Sequence, residues 1–260
     1  MTKRQALGQH FLRDQGIARA IVDLVAPTPN DRVLEIGPGE GALTADLGRR
    51  AGSVTALEVD TALAVRLRGR ALPGVEIIVA DARTWDYAAL TRPPGGRVLV
   101  VGNLPYSVGK PILEALVTAR TAIDEMALML QLEVAERLAA PPGNKVYGAL
   151  SVLTQIYCDV RLAFRVPPAA FRPPPKVDSA VVHLRVLSAP RVPLRDERRF
   201  ATIVRASFAH RRKMLANSLA GSLGRPLDAT RAALVAAGVD PQRRAETLSM
   251  AEFAALADAL

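Results

Sequence analysis

Four consecutive residues, Asn103, Leu104, Pro105 and Tyr106, carry the densest chemistry in the chain. They follow a run of buried-strand character, residues 97–102 (RVLVVG), and so lie where a parallel strand delivers side chains to a ligand crevice. Pro105 removes a backbone donor and biases Leu104 towards an extended conformation, which leaves the Leu104 carbonyl to accept from a ligand. Asn103 adds an amide oxygen and Tyr106 a flat ring. Two acceptors and an aromatic face suit an aromatic amine such as adenine, the acceptors taking its NH2 hydrogens and the ring stacking on its plane. Taken alone, the stretch also fits a Pro-Tyr turn at a strand end, so the elements around it must decide.

Those elements alternate between strand and helix. Residues 32–36 (RVLEI) read as a strand, followed by the glycine loop 37–41 (GPGEG) and a helix signal through Leu43 and Leu47. Glycines at such a turn let the backbone approach a ligand beneath a helix N-terminus. The loop also satisfies Gly-x-Gly-x-x-Gly/Ala loosely, through Ala42, and by itself does not separate a dinucleotide from another nucleoside cofactor. Residues 53–58 (SVTALE) form a second strand signal that ends in Glu58, whose carboxylate is placed to accept both hydroxyls of a ribose; a plain N-cap or surface acid is the alternative. A third strand signal, 75–80 (VEIIVA), ends at Asp81, placed to accept from an adenine amino group. A glycine loop, Glu58, Asp81 and Asn103 at the ends of successive strands indicate a doubly wound sheet.

Upstream, residues 8–12 (GQHFL) precede a helix begun by Asp14 as N-cap, with Ile17, Ala20, Ile21, Leu24 and Val25 at helical spacing. Such an arm either closes over a cofactor or is a tail with Phe11 tucked in for packing. Downstream, residues 123–130 read as a fifth strand, 131–138 as a helix and 141–145 (PPGNK) as a loop. Two stretches of alternating apolar residues, 158–166 and 177–186, bracket a proline-rich segment. A hairpin-like pair there would project Phe171 and Lys176 over the crevice, with Phe171 stacking on the same base as Tyr106; a surface loop is the alternative. Residues 187–193 read as a linker to a helical remainder.

The chain has 260 residues, half of them apolar, and 34 Lys and Arg against 25 acidic residues, for a net charge of +9. That balance favours a polyanionic partner, nucleic acid ahead of an anionic membrane. Residues 191–213 alone hold eight basic residues against Asp196 and Glu197, with Arg211, Arg212 and Lys213 opening the next helix, and point to phosphate contact. Ser249 and Glu252 have the spacing of a capping box. No apolar run approaches the ~18 residues of a membrane span and no signal-peptide core is visible, so the expected location is the cytoplasm. Cys158 is the single cysteine and reads as a small core residue, and His10, His183 and His210 are scattered, so no metal site is expected.

With these motifs assembled, the chain resembles the class I S-adenosylmethionine-dependent methyltransferases, through Glu-x-Gly-x-Gly-x-Gly at 35–41 and the amino-methylating motif at 103–106. It is more closely similar to the KsgA-type ribosomal RNA adenine N6,N6-dimethyltransferase family. Residues 8–12, 35–39, 130–134 (LQLEV), 147–152 (YGALSV), 171–181 (FRPPPKVDSAV) and 211–219 (RRKMLANSL) match that family's blocks in order over nearly the whole chain. The resemblance implies an α/β class I methyltransferase fold, a Rossmann-like doubly wound and mostly parallel sheet, with a small all-α C-terminal domain. It implies a catalytic domain over 1–187 and a helical RNA- and ribosome-binding domain over 188–260. S-adenosyl-L-methionine contacts are implied at His10, Leu12, Gly37, Gly39, Glu58, Asp81 and Asn103, His10 standing where many relatives have Asn. Asn103, Leu104, Pro105, Tyr106 and Phe171 are the expected catalytic set, and Lys176, Arg211, Arg212 and Lys213, from the loop and charge pattern above, the expected RNA contacts. The implied substrate is a pair of adjacent adenosines in the 3′-terminal hairpin of 16S rRNA in the small ribosomal subunit; separately from the resemblance, a monomer is expected. After Tyr106 the chain departs from the family pattern, with Ser107, Val108, Gly109 and Lys110 before Pro111; Lys110 either reaches RNA phosphate or is solvated. Two other functions remain open at this point: an Erm-type enzyme acting on large-subunit rRNA, and a non-catalytic ribosome-assembly factor on the same fold.

Overall fold

The computed structural model describes residues 10–210 and 212–260. Gly8, Gln9 and Arg211 therefore lie outside the described residues. Two compact units are present: Met1–Ala135 with Asp159–Val186, and Glu136–Cys158 with Leu187–Leu260. The expected division at 187/188 left 136–158 with the sheet, whereas these residues group with the C-terminal helices. The reason is aromatic packing: Tyr147 is fully buried and meets Phe208 edge-on at 6.0 Å between ring centroids, and Phe208 in turn lies 5.7 Å from Phe253.

The first unit is built on a seven-stranded sheet. Its strands are β2 (Arg32–Ile36), β3 (Ser53–Glu58), β4 (Val75–Val79), β5 (Val98–Asn103), β6 (Glu125–Gln131), β7 (Cys158–Val166) and β9 (Ser179–Val186), in the order β4-β3-β2-β5-β6-β9-β7. The five from β4 to β6 are parallel and β9 runs antiparallel to β6. β2, β5 and β6 are buried along nearly their whole length, which is why they read as continuous apolar runs rather than alternating ones. Between them run α1 (Gln15–Val25), α2 (Thr44–Arg50), α3 (Thr61–Arg68), α4 (Gly109–Thr118) and α5 (Leu132–Ala139). Asp14 caps α1 by accepting from the Ile17 N–H at 3.0 Å, and Ile21, Val22 and Val25 face the core with Leu47, Leu99 and Met129.

A second, two-stranded sheet joins β1 (Phe11–Leu12) to β8 (Phe171–Arg172), with Phe11 opposite Arg172 and Leu12 opposite Phe171. Leu12 and Phe171 are both buried in the main core. The stacking role expected of Phe171 is thereby corrected: its ring is 4% exposed and does not line the cleft described below. Strand alternation accounts for this, because pairing with the arm turns Phe171 inward and Arg172 outward.

The second unit is helical: α6 (Ala149–Gln155), α7 (Glu197–Phe208), α8 (Leu215–Leu223), α9 (Leu227–Ala236) and α10 (Met250–Ala259). Ser249 and Glu252 form the expected capping box at α10, and Arg243 pairs with Glu252. Arg212 and Lys213 precede α8 rather than opening it, and both are exposed, as are Arg195, Arg198 and Arg205. No described helix is long and apolar enough to cross a membrane.

Candidate active site

The strand order fixes where a ligand can sit. From β2 the chain proceeds to β3 and β4 on one side, then returns to β5 and β6 on the other, so the carboxyl ends of β2 and β5 diverge and open a crevice. A cleft of about 430 Å³ opens there, within the range of cofactor and small-ligand sites. It is lined by His10, Phe11, Gly37, Gly39, Glu58, Asp81, Asn103, Leu104, Pro105 and Tyr106, with Ile36, Val59, Arg83, Ser107 and Val108 among the other walls.

One wall is the glycine loop. Gly37 and Gly39 have φ of +69° and +55°, in the left-handed region that side chains rarely adopt. A Cβ on Gly39 would stand 2.9 Å from the Phe11 ring, so the glycine is what lets the arm lie against the loop. Glu58, 2% exposed at the end of β3, holds that loop: its Oε2 accepts the Gly39 N–H at 3.0 Å and its Oε1 the Asp60 N–H at 2.9 Å. Burial raises the Glu58 carboxyl above its ordinary range, and the two backbone donors oppose that shift. Arg13 pairs with Glu40 at 2.7 Å, a second tie between arm and loop.

The opposite wall is the stretch at 103–106. Asn103 is the last residue of β5 and its Nδ2 donates to the His10 carbonyl at 2.9 Å. The amide is thereby oriented, and its Oδ1 is left as an acceptor. The Leu104 side chain is buried, its N–H donates to the Met129 carbonyl, and its own carbonyl accepts no hydrogen bond among the described residues. The Tyr106 ring lies 5.5 Å from the His10 ring, and the His10 Nδ1 is 2.8 Å from the Pro173 carbonyl.

Asp81 also lines the cleft, but its carboxylate is engaged by Arg83: Oδ1 accepts from the Arg83 backbone N–H and Nε, and Oδ2 from Nε and Nη2, at 2.6–3.0 Å. Those hydrogen bonds hold its carboxyl below the usual carboxylate range. Of the other expected site residues, Leu12 points into the core and Phe11 faces the cleft in its place. Lys176 is exposed on the proline-rich segment, and Lys110 is exposed at the start of α4, 4.0 Å from Glu114. Phe11 was read only as a packing residue, because its direction is set by the pairing of β1 with β8 and a two-residue strand carries no periodicity. Arg83 left no sequence signal.

Beneath the loop, Glu35 is fully buried on β2 and its Oε2 has no hydrogen-bond partner among the described residues. Burial pushes its carboxyl up to about 8; Thr44 opposes this and the nearby Glu58 charge adds to it. The folded value lies above the unfolded one, near 4.5, so the folded state binds the proton more tightly. Stability from this group is then full below about pH 4.5 and is lost as pH rises towards about 8. Glu35→Gln should be more thermostable than the parent at pH 8, by a few kcal/mol, and equal to it at pH 4.5. Melting curves at both pH values check this, and a gap independent of pH would show that the carboxyl is not the cause.

Similarity to known proteins extends over the whole chain. The family model described as ribosomal RNA adenine dimethylase matches residues 1–260. "Ribosomal RNA small subunit methyltransferase A" of Xylella fastidiosa (strain 9a5c) is 44% identical over 258 residues, covering 98% of this chain and 95% of the relative. The protein of the same name from Xanthomonas campestris pv. campestris (strain B100) is 46% identical over 257 residues, with the same coverage. Among solved structures, a dimethyladenosine transferase from Plasmodium falciparum superposes with a TM-score of 0.80 at 23% identity, over 95% of this chain and 96% of that one, which bears on the fold alone. The 23S rRNA methyltransferase ErmE gives a TM-score of 0.72 at 30% identity, over 96% of this chain and 99% of that one. A full-length family match together with identities of 44–46% to its small-subunit members places this chain in the ribosomal RNA adenine dimethylase family, on a class I methyltransferase fold.

Proposed function

We propose that this protein dimethylates N6 of two adjacent adenosines in the 3′-terminal hairpin of 16S rRNA, with S-adenosylmethionine as methyl donor. The observation that carries the reading is the orientation of Asn103: its Nδ2 is tied to the His10 carbonyl, so Oδ1 and the Leu104 carbonyl are left as two neighbouring acceptors beside the Tyr106 ring. The small-subunit substrate is favoured over a 23S target by the 44–46% identity to enzymes named for the small subunit, against 30% to ErmE.

The donor fits the residues present. The left-handed Gly37 and Gly39 leave the loop without side chains where a ligand must come close, and Glu58, at the end of the neighbouring strand, is an acceptor for a ribose diol. His10, Phe11 and Asp81 complete the surround. S-adenosylmethionine supplies an electrophilic methyl group on a sulfonium, so the protein needs no strong base to activate the acceptor. The adenine nitrogen lone pair is delocalised into its ring. Asn103 Oδ1 and the Leu104 carbonyl accept the amino hydrogens and draw that lone pair out, while Tyr106 holds the base in plane. A neutral amide also keeps the pocket uncharged, and the monomethylated amine still presents one hydrogen for the second transfer. The base must leave its stack, which a hairpin loop permits at modest cost.

Asp81 can serve the cofactor adenine only by exchanging an Arg83 hydrogen bond for the amino group, since three donors from Arg83, one of them shared, already make four contacts with its two oxygens. Arg83→Ala should therefore tighten cofactor binding severalfold, as measured by calorimetry. Weaker binding would mean that Arg83 supports the site rather than competing in it.

The exposed basic residues of the helical unit are the proposed phosphate contacts, with Lys176 of the sheet unit. Replacing Arg211, Arg212 and Lys213 with Ala should leave cofactor affinity alone, raise the Kd for small subunits, and lower the slope of log K against log salt by about 0.7–0.9 for each phosphate that is no longer neutralised. A folded variant with an unchanged slope would locate RNA binding elsewhere. The protein is expected to act as a cytoplasmic monomer.

The function itself is tested by transfer of labelled methyl groups to small subunits lacking the modification, with large subunits in parallel. Label on two adjacent adenosines of the 16S 3′ hairpin is expected. Label on 23S rRNA, or binding with no transfer, would overturn the reading in favour of the Erm-type enzyme or the assembly factor respectively.

A further inference from the structure

Ser179 opens β9, far from Tyr106 in the chain, and is fully buried. Its hydroxyl lies 2.5 Å from the Tyr106 hydroxyl, an O–H···O contact at the short end of the ordinary range. The Tyr106 side chain is partly buried, and burial raises its phenol above its ordinary value while the bond to Ser179 lowers it. The ring is thus held at two places: its stem by the backbone at the mouth of the cleft, its tip by Ser179. A phenol ring anchored at its stem alone swings its tip about the first side-chain torsion, whereas a second anchor at the hydroxyl fixes the direction of the ring's long axis and so where the ring sits; rotation about that axis leaves the hydroxyl in place and is limited by the packing around the ring. The same ring neighbours His10, whose Nδ1 sits 2.8 Å from the Pro173 carbonyl, so the segment between Pro173 and Ser179 is bonded to Tyr106 at its Ser179 end and to the adjacent His10 at the other.

We infer that Ser179 is a positioning residue for methyl transfer: through the Tyr106 hydroxyl it fixes the place and axis of the ring against which the target adenine stacks. The inference rests on the reading of Tyr106 as the platform for that base. Ser179 is not among the residues that line the cleft; it acts by keeping the base in line with the two acceptors, where a small misplacement is costly to rate. A merely structural role, in which the serine only satisfies a buried hydroxyl, would appear in stability and not in turnover.

The experiment is a double-mutant cycle of Ser179→Ala and Tyr106→Phe on the full-length protein, with steady-state transfer to unmodified small subunits and cofactor Kd by calorimetry. Each single variant should lower kcat about two- to tenfold, the effect of one neutral hydrogen bond, with KM for subunits and cofactor Kd unaltered. The double variant should fall no further than the singles, because both remove the same bond. Additive losses, or unchanged kcat in either single variant, overturn the proposal. If Ser179→Ala does not fold, Tyr106→Phe decides alone, since it deletes the bond and retains the ring. Tyr106→Ala separates the two ideas: if it retains transfer, the platform reading fails, whereas a large loss there with unchanged kcat in Tyr106→Phe rejects only the role of Ser179.

Discussion

Asn103→Ala is expected to lower the rate of methyl transfer by about 10²–10³, the range seen when one preorganised polar partner of a transition state is removed. The side chain is the last of β5 and its amide is already aimed, with Nδ2 spent on the His10 carbonyl at 2.9 Å. Alanine deletes the acceptor and leaves Leu104 as a single point of attachment, which lets the adenine amino group rotate out of line. It also frees the His10 carbonyl, so a modest loss of cofactor affinity through the arm should accompany the loss of rate. RNA affinity should stay near normal because phosphate contacts dominate it. Asn103→Asp provides the control: it retains acceptor oxygens but cannot donate to His10, and should fall between the parent and alanine. Single-turnover transfer to saturating small subunits measures the step, and substantial dimethylation by Asn103→Ala would remove the acceptor mechanism.

The sequence was informative where backbone chemistry is local and poor where contacts are distant. Strands β2, β3 and β5 lie within a residue of the limits read for them, because β2 and β5, buried on both faces, are nearly continuous apolar runs and all three end at or beside Gly, Glu or Asn. Asp14 and Ser249 read correctly as helix caps for the same reason, since a cap is decided within three residues. Phe171 was misread because its direction depends on pairing with Leu12, 159 residues earlier, and a two-residue strand has no periodicity of its own. The bond from Ser179 to Tyr106 spans 73 positions and joins two strand ends that only the sheet order brings together. The saturation of Asp81 by Arg83 is local yet silent: a guanidinium two residues from a carboxylate usually points to solvent, and here the turn folds it back. The place of 136–158 was illegible in a different way, since strand and helix signals give no measure of which aromatic cluster a connecting segment joins.

Glu58→Ala should weaken S-adenosylmethionine binding about 10- to 150-fold, corresponding to the 1.5–3 kcal/mol of a hydrogen bond to a charged group. The residue does two jobs, and the variant removes both. Each carboxylate oxygen accepts one backbone N–H, from Gly39 at 3.0 Å and from Asp60 at 2.9 Å, and each keeps a second lone pair for a ribose hydroxyl. Losing the first pair unpins a loop whose left-handed glycines have no side chains to hold them; losing the second removes the diol acceptor. Glu58→Gln is no conservative substitute, because its NH2 must face either the Gly39 or the Asp60 donor. The two jobs separate when affinity is measured for S-adenosylhomocysteine and for its 2′-deoxy analogue. The parent should discriminate strongly between them and Glu58→Ala hardly at all, since the discrimination is the part that passes through the hydroxyl. If Glu58→Ala weakens both ligands equally and keeps the parent's preference for the ribose, the carboxylate only holds the glycine loop, and the diol must be read by another residue of the cleft.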